Sequence, residues 1–307
     1  MMTDATPLSS AIERDDHAAV RALLDEQPRR ASTYLRRASS IGDQQWMPLH
    51  VAAAAGAEAV VKLLLEAGVH PDCRTRFQTP LHARQTPLHL AAEAGHVGVV
   101  RQLLAAGGET QVFDAQRRSP LWLAAAHGHA AVIEPLFDHG SDLEARDQQG
   151  RTPLHAAIRA AGVDEANVDH GPAASTIPTP DESGAGPADA KPDQNAPPIG
   201  DQPSPHAPPA RPASAAESAT RPSPLTVVEV LLQLGADPNA TCPKEPAGYT
   251  PLHRAVSLGP MAAPLVELLI KHHADPSARD PRHDRTAGEL ATHLGHHPIP
   301  ALTADPS

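Results

Sequence analysis

Apolar residues recur along most of the chain in two alternating stripes. Leu88, Ala91 and Ala92 make a narrow stripe, and Val99, Val100, Leu103 and Leu104 make a wider one. Both have helical spacing. The punctuation around them is regular. Thr86 offers a side-chain oxygen suited to capping a helix start. Pro87 fits the first helical position, where its missing N–H costs nothing. Gly95 ends the first helix, and Gly107 breaks the second. The residues after Gly107 run on as an extended finger to the next unit. The predicted element is a pair of short helices, and it is repeated down the chain.

The repeat is marked by Thr-Pro-Leu-His and close variants. They stand at Thr6-Pro7-Leu8-Ser9, Met47-Pro48-Leu49-His50, Thr79-Pro80-Leu81-His82, Thr86-Pro87-Leu88-His89, Ser119-Pro120-Leu121-Trp122, Thr152-Pro153-Leu154-His155 and Thr250-Pro251-Leu252-His253. The steps from 86 to 119 and from 119 to 152 are each 33 residues, and the step from 47 to 79 is 32. The rest of the unit repeats as well, in LAAEAGHVGVVRQLLAAGGE and LAAAHGHAAVIEPLFDHGSD. No such unit buries its apolar face alone, so neighbours must stack. This pattern resembles the ankyrin repeat, TPLHxAAxxGHxxVVxxLLxxGAD. The resemblance implies an all-α solenoid of about six ankyrin repeats plus a partial C-terminal cap, with hairpin fingers. In that family the motif histidine bonds backbone around the inter-repeat turn, which is the reading taken for His50, His89, His155 and His253.

The expected organisation is a capping repeat and linker over 1–46, whose helix pair is a polar variant of the unit, and repeats over 47–162. A Pro/Ala/Asp-rich insert follows over 163–224. Repeats resume over 225–285, and 286–307 hold a partial repeat from Thr286 and a tail. The insert splits one repeat. Leu154-His155-Ala156-Ala157 begins a first helix, and Val227 to Leu232 supply the second, which arrives about 62 residues late for the repeat. The text between is nearly devoid of large apolar residues and is expected to be disordered. Lengthening a turn from about 4 to about 62 residues is roughly four doublings, about 2.4 kcal/mol in all. A long stack tolerates that, so the two halves are expected to pair. Two smaller departures stand out. QTPLHAR at 78–84 is duplicated as QTPLHLA at 85–91, and the first copy is expected to lengthen a finger as a loop. Pro135 falls inside a second helix and predicts a local weak point. Pro264 falls near a helix start and is less harmful.

Composition narrows the function. Aromatic residues are 2% of the 307, so the core is alanine, leucine and valine, as close-packed helix pairs require. The net charge of -11 argues against nucleic acid as a partner. Residues 163–224 carry nine acids and three bases, so the rest is only mildly acidic. Cys73 and Cys242 have no metal-ligand spacing and read as unpaired thiols of a reducing compartment. No secretory pattern and no membrane-length apolar run is found, so a cytoplasmic, monomeric chain with no membrane partner is expected. Nothing in the sequence bears on delivery into a host cell.

No P-loop, nucleophile elbow, HExxH or dinucleotide glycine motif is present. The alternative to a binding protein is a metal-dependent hydrolase built on His272, His273, His283, His293, His296 and His297, with Asp275, Asp280 and Asp284 nearby. A weak patch there is the plainer reading, and no catalytic residue, metal or cofactor is expected. The resemblance places a protein partner on the concave face of fingers and first helices. Its variable positions fall on Trp46, Gln78, Glu93, Arg118, His127, Arg151, Arg159 and Tyr249. Trp, Tyr and Arg anchor interfaces most often, which favours Trp46, Arg118, Arg151 and Tyr249. Trp46 reads equally as a filler of the stack, and Trp122, in the motif's histidine position, reads first as one.

Overall fold

The computed structural model describes residues 6–33, 35–37, 44–77, 84–161, 224–242, 248–259, 262–296 and 302. Among these the helices come in pairs: α1 (Thr6–Glu13) with α2 (His17–Glu26), α3 (Pro48–Ala55) with α4 (Glu58–Glu66), and α5 (Pro87–Ala94) with α6 (Val97–Ala105). The series continues with α7 (Pro120–Ala126) and α8 (Ala130–Asp138), α9 (Pro153–Ala161) and α10 (Pro224–Gln233), and α11 (Pro251–Ser257) and α12 (Ala263–Lys271). A last helix, α13 (Ala287–His293), stands without a second member among the described residues. This is the expected count of six pairs and a terminal half.

The helices stop where the sequence places a stop. Gly56 and Gly95 cap α3 and α5 in the left-handed conformation, at φ 73° and 78°. The two glycines also admit a neighbour: a Cβ on Gly95 would lie 2.4 Å from His129 Nδ1. The first helices pack on one another in sequence from α1 through α13, and α2, α4, α6, α8 and α10 form a second row behind them. Alanine makes the close approach of the first row feasible. Ala52, Ala53, Ala91, Ala92, Ala124 and Ala125 are all 0% exposed. Val99, Val100 and Leu103 of α6, with Val132, Ile133 and Leu136 of α8, fill the space between rows.

Helices α9 and α10 pack together like the other pairs and belong to one compact unit with the rest of the stack. The two halves of the split repeat therefore pair, and α10 begins at Pro224. Residues 163–223 of the insert expected to be disordered, and residues 78–83 of the first copy of the duplication at 78–84, lie outside the described residues, while Pro224, placed in the insert by the sequence, belongs to α10. The second copy holds register as expected, with α5 starting 33 residues before α7. The ends of the stack are polar-capped. Asp16 accepts the Ala19 amide (3.0 Å) at the start of α2. Thr286 and Glu289 form a reciprocal capping box on α13, with Thr286 N–H donating to Glu289 Oε2 (2.8 Å) and Glu289 N–H to Thr286 Oγ1 (3.2 Å).

Two details refine the expectation. The first fingers contain strands: β1 (Leu35–Arg37), β2 (Gln44–Trp46) and β3 (Arg76–Phe77) form an antiparallel sheet in that order, with Leu35 opposite Trp46 and Gln44 opposite Phe77. And α8 runs unbroken through Pro135. Proline has no N–H for the Ala131 carbonyl, but Ala131 is exposed, so the loss does not leave a buried acceptor. His139 Nδ1 donates to the Pro135 carbonyl (2.9 Å). The lost helical bond should still cost stability. Replacing Pro135 by alanine is expected to stabilise the chain by about 1–3 kcal/mol, read as a higher urea midpoint. An unchanged midpoint would mean that α8 bears no proline penalty.

Candidate binding face

Each finger is closed by one backbone hydrogen bond at its base. The amides of Thr75, Asp114, Asp147, Cys242 and Asp280 donate to the carbonyls of Gln85, Arg118, Arg151, Tyr249 and Arg285. In two fingers the opening residue also holds the closing arginine. Asp114 Oδ1 accepts the amides of Gln116 and Arg118, both at 2.9 Å, and its Oδ2 accepts Arg118 Nε at 2.8 Å. Asp147 treats Gln149 and Arg151 the same way, at 2.9, 2.8 and 2.8 Å. In both pairs the second guanidinium nitrogen lies 2.7 Å from the same carboxylate oxygen. The two aspartates are buried at 3% exposure. A buried carboxylate needs such saturation by donors to stay charged.

The next residues link repeat to repeat. The Thr86 amide donates to His89 Nδ1 (3.1 Å), which leaves the proton on Nε2, and Nε2 donates to the Arg118 carbonyl (3.1 Å). His155 Nε2 donates to the Tyr249 carbonyl (3.2 Å) and His253 Nε2 to the Arg285 carbonyl (3.0 Å). His50 Nε2 lies within reach of both the Cys73 (3.0 Å) and Gln85 (3.2 Å) carbonyls. Each of the four described motif histidines thus ties its helix to the finger of the following repeat, as the ankyrin resemblance implies. Burial lowers the pKa of His50 and of His89 to about 4, and at His89 the nearby Asp114 offsets it only in part. Where Trp122 replaces the histidine, its indole N–H donates to the Arg151 carbonyl instead (3.3 Å). The Arg118 and Arg151 guanidinium carbons sit 5.8 and 5.4 Å from the Trp122 ring centroid.

The candidate partner-binding residues fall into three groups. Arg118 and Arg151 are partly buried, held by Asp114 and Asp147, and packed on Trp122. Trp46, at 8% exposure, lies in the main core with its ring 6.5 Å from His50, and Tyr249 stacks on His253 at 5.7 Å. Glu93, His127 and Arg159 stand at the ends of α5, α7 and α9, and the last two are exposed. His127 Nε2 lies 3.8 Å from Glu93 Oε1. Gln78 lies outside the described residues. The sequence reading missed Asp114 and Asp147, which fix the fingers. Their signal was an aspartate four residues before an arginine, in DAQRR and DQQGR.

Among the described residues, no three His, Cys, Asp or Glu side chains are grouped so as to hold a metal ion. Of the C-terminal histidines, His283 lies 3.4 Å from Asp280, His293 is exposed in α13, and His297 is outside the described residues. No helix among the described residues is long and apolar enough to cross a membrane.

Family models of ankyrin repeats match residues 2–76, 70–147 and 88–167, and a single-repeat model matches 247–281. The chain belongs to the ankyrin-repeat family. Among solved structures, this ankyrin stack is similar to the ankyrin repeat domain of Bcl-3, a protein described as a unique member of the IkappaB family. The likeness has a TM-score of 0.62 at 22% sequence identity, over 99% of this chain and 100% of that one. At that identity it speaks for the ankyrin fold alone. No match was found among curated proteins.

Proposed function

We propose that this ankyrin protein is a non-catalytic protein–protein interaction module. Its partner lies on the face made by the fingers and first helices, which is concave in this family. One observation carries the reading. Each of α3, α5, α7 and α9 buries the six residues from its proline onward, and what remains turned to solvent is the end of the helix. At that end successive repeats carry unlike polar groups, Glu93, His127 and Arg159, on a backbone that is otherwise repetitive. A uniform scaffold with a non-uniform polar row suits recognition of one partner. Two cysteines outside any disulfide fit a reducing compartment such as the cytoplasm, and the reading takes the chain as a monomer.

Arg118 and Arg151 are poor first substitutions, because their loss would unseat Asp114, Asp147 and Trp122 along with any partner. The cleaner test is affinity capture followed by mass spectrometry with the full chain and a Glu93→Lys, Arg159→Glu variant. We expect a partner captured by the wild type and lost from the variant, with the thermal midpoint of the two proteins alike. Capture of the same partner by both, or turnover of a substrate with a tightly held metal, would sink the reading.

A further inference from the structure

In five fingers the described residue just before the closing one has a positive φ. These are Arg84 (φ 68°), Arg117 (φ 59°), Gly150 (φ 83°), Gly248 (φ 60°) and Asp284 (φ 52°). Glycine adopts this conformation without penalty, whereas an L side chain crowds its own carbonyl. Aspartate relieves part of that cost by bonding locally, and arginine lacks such a short polar group. Two adjacent fingers nevertheless hold arginine. Both side chains are exposed, and neither is hydrogen bonded or ion-paired among the described residues. The two fingers are also tied together, since Arg74 Nη1 donates to the Phe113 carbonyl (3.3 Å). An unfavourable backbone position carrying an unused cation points to a task for the side chain.

The charge around them says which task. The turns that follow the second helices carry Asp72, Glu109, Asp142, Asp237 and Asp275, and the chain as a whole is at -11. A nucleic acid would meet repulsion from most of this molecule. A short acidic peptide that reached only these two turns would meet the guanidinium groups of Arg84 and Arg117, whereas Arg118 is already engaged by Asp114. Guanidinium groups bind carboxylates through paired, charge-assisted hydrogen bonds. We propose that Arg84 and Arg117 are a two-point anchor for an acidic, extended segment of a protein partner. The proposal rests on the reading of this face as protein-binding and adds the chemistry of the partner.

The test uses the full chain, at low ionic strength, with a fluorescein-labelled peptide of alternating glutamate and serine as probe. A lysine–serine peptide and a single-stranded DNA of similar charge serve as comparisons. Arg84→Gly, Arg117→Gly removes both cations and places glycine where the turn prefers it. The expected result is a loss of about tenfold in affinity for the acidic peptide, the equivalent of one charge-assisted hydrogen bond. The thermal midpoint should rise by about 2–4 °C, so the loss is not unfolding. Arg101→Ala, on the exposed side of α6, should leave binding unchanged. Absence of wild-type binding, or equal binding by the double-glycine variant, overturns the proposal. So does DNA bound as tightly through the same two arginines. A native partner lost with Glu93→Lys, Arg159→Glu but kept by the double-glycine variant would overturn this inference and leave the protein-binding reading standing.

Discussion

Taking the full chain from about pH 7 to about pH 4.5 should strip several kcal/mol from the stack, well before its aspartates are generally protonated. The cause is the inter-repeat histidines. In the folded chain His50 and His89 are buried and neutral, with pKa values lowered from 6.5 to about 4. Unfolding returns them to water and to about 6.5. Between those values the unfolded chain binds more protons than the folded one, so stability falls as the pH falls through the window. It is fully present above about 6.5 and lost towards 4, on the order of 3 kcal/mol for each imidazole. His129, partly exposed, is lowered in the same direction by burial and adds to the loss. Glu144 opposes it, because burial raises its carboxyl, but that group is only half-buried. Protonation also places a second proton on Nδ1, where the Met47 and Thr86 amides now donate. Urea midpoints measured across this range should drop steeply. In His89→Gln the midpoint should be lower at neutral pH and fall less on acidification. A flat midpoint from neutral to pH 4.5 would show that the imidazoles are not neutral in the folded chain.

The helices were legible because each is short and over-determined. Pro87, His89, Gly95 and Gly107 mark the start, the link to the next repeat, and the two stops of one unit, and no two of them disagree. The pairing of α9 with α10 was legible for the same reason, since Val227 to Leu232 repeat the apolar face of Val99 to Leu104. The binding face was less so, because a residue's place in a motif does not say what its side chain holds. Arg118 and Arg151 occupy variable positions of the repeat, but the carboxylates of Asp114 and Asp147 engage them inside their own fingers. Trp46 also sits at a variable position, and the core takes it because apolar area is scarce in a chain this poor in aromatics. The strands β1–β3 carry no alternation that marks them, and their pairing is made by the fingers lying side by side. Left-handed φ at Arg84 and Arg117 is also invisible in a window of sequence. It emerges only when Gly150 is seen in the equivalent place.

Trp122 is where the repeat pattern breaks and the structure repairs it, and its removal should cost about 3–5 kcal/mol. A histidine here would accept an amide with one ring nitrogen and donate with the other. Indole has only the donor, so the ring nitrogen that accepts the capping residue's amide in His50 and His89 has no counterpart here. Trp122 Nε1 donates to the Arg151 carbonyl, and Ser119 Oγ accepts the Trp122 amide (3.1 Å), as Thr152 and Thr250 accept those of His155 and His253. The extra ring area covers Leu123 and Ala156 in a small cluster apart from the main core, and two guanidinium groups rest on it. Trp122→Ala leaves a void under Arg118 and Arg151 and a carbonyl without its donor, in the middle of a stack where each repeat depends on both neighbours. Trp122→His restores a donor towards Arg151 and should recover part of that loss. Both are read from urea midpoints by circular dichroism against the wild type. A Trp122→Ala change within about 0.5 kcal/mol of wild type would deny the residue its structural role. If Trp122→His then folded normally but no longer captured the partner, Trp122 would join Glu93, His127 and Arg159 as a partner contact.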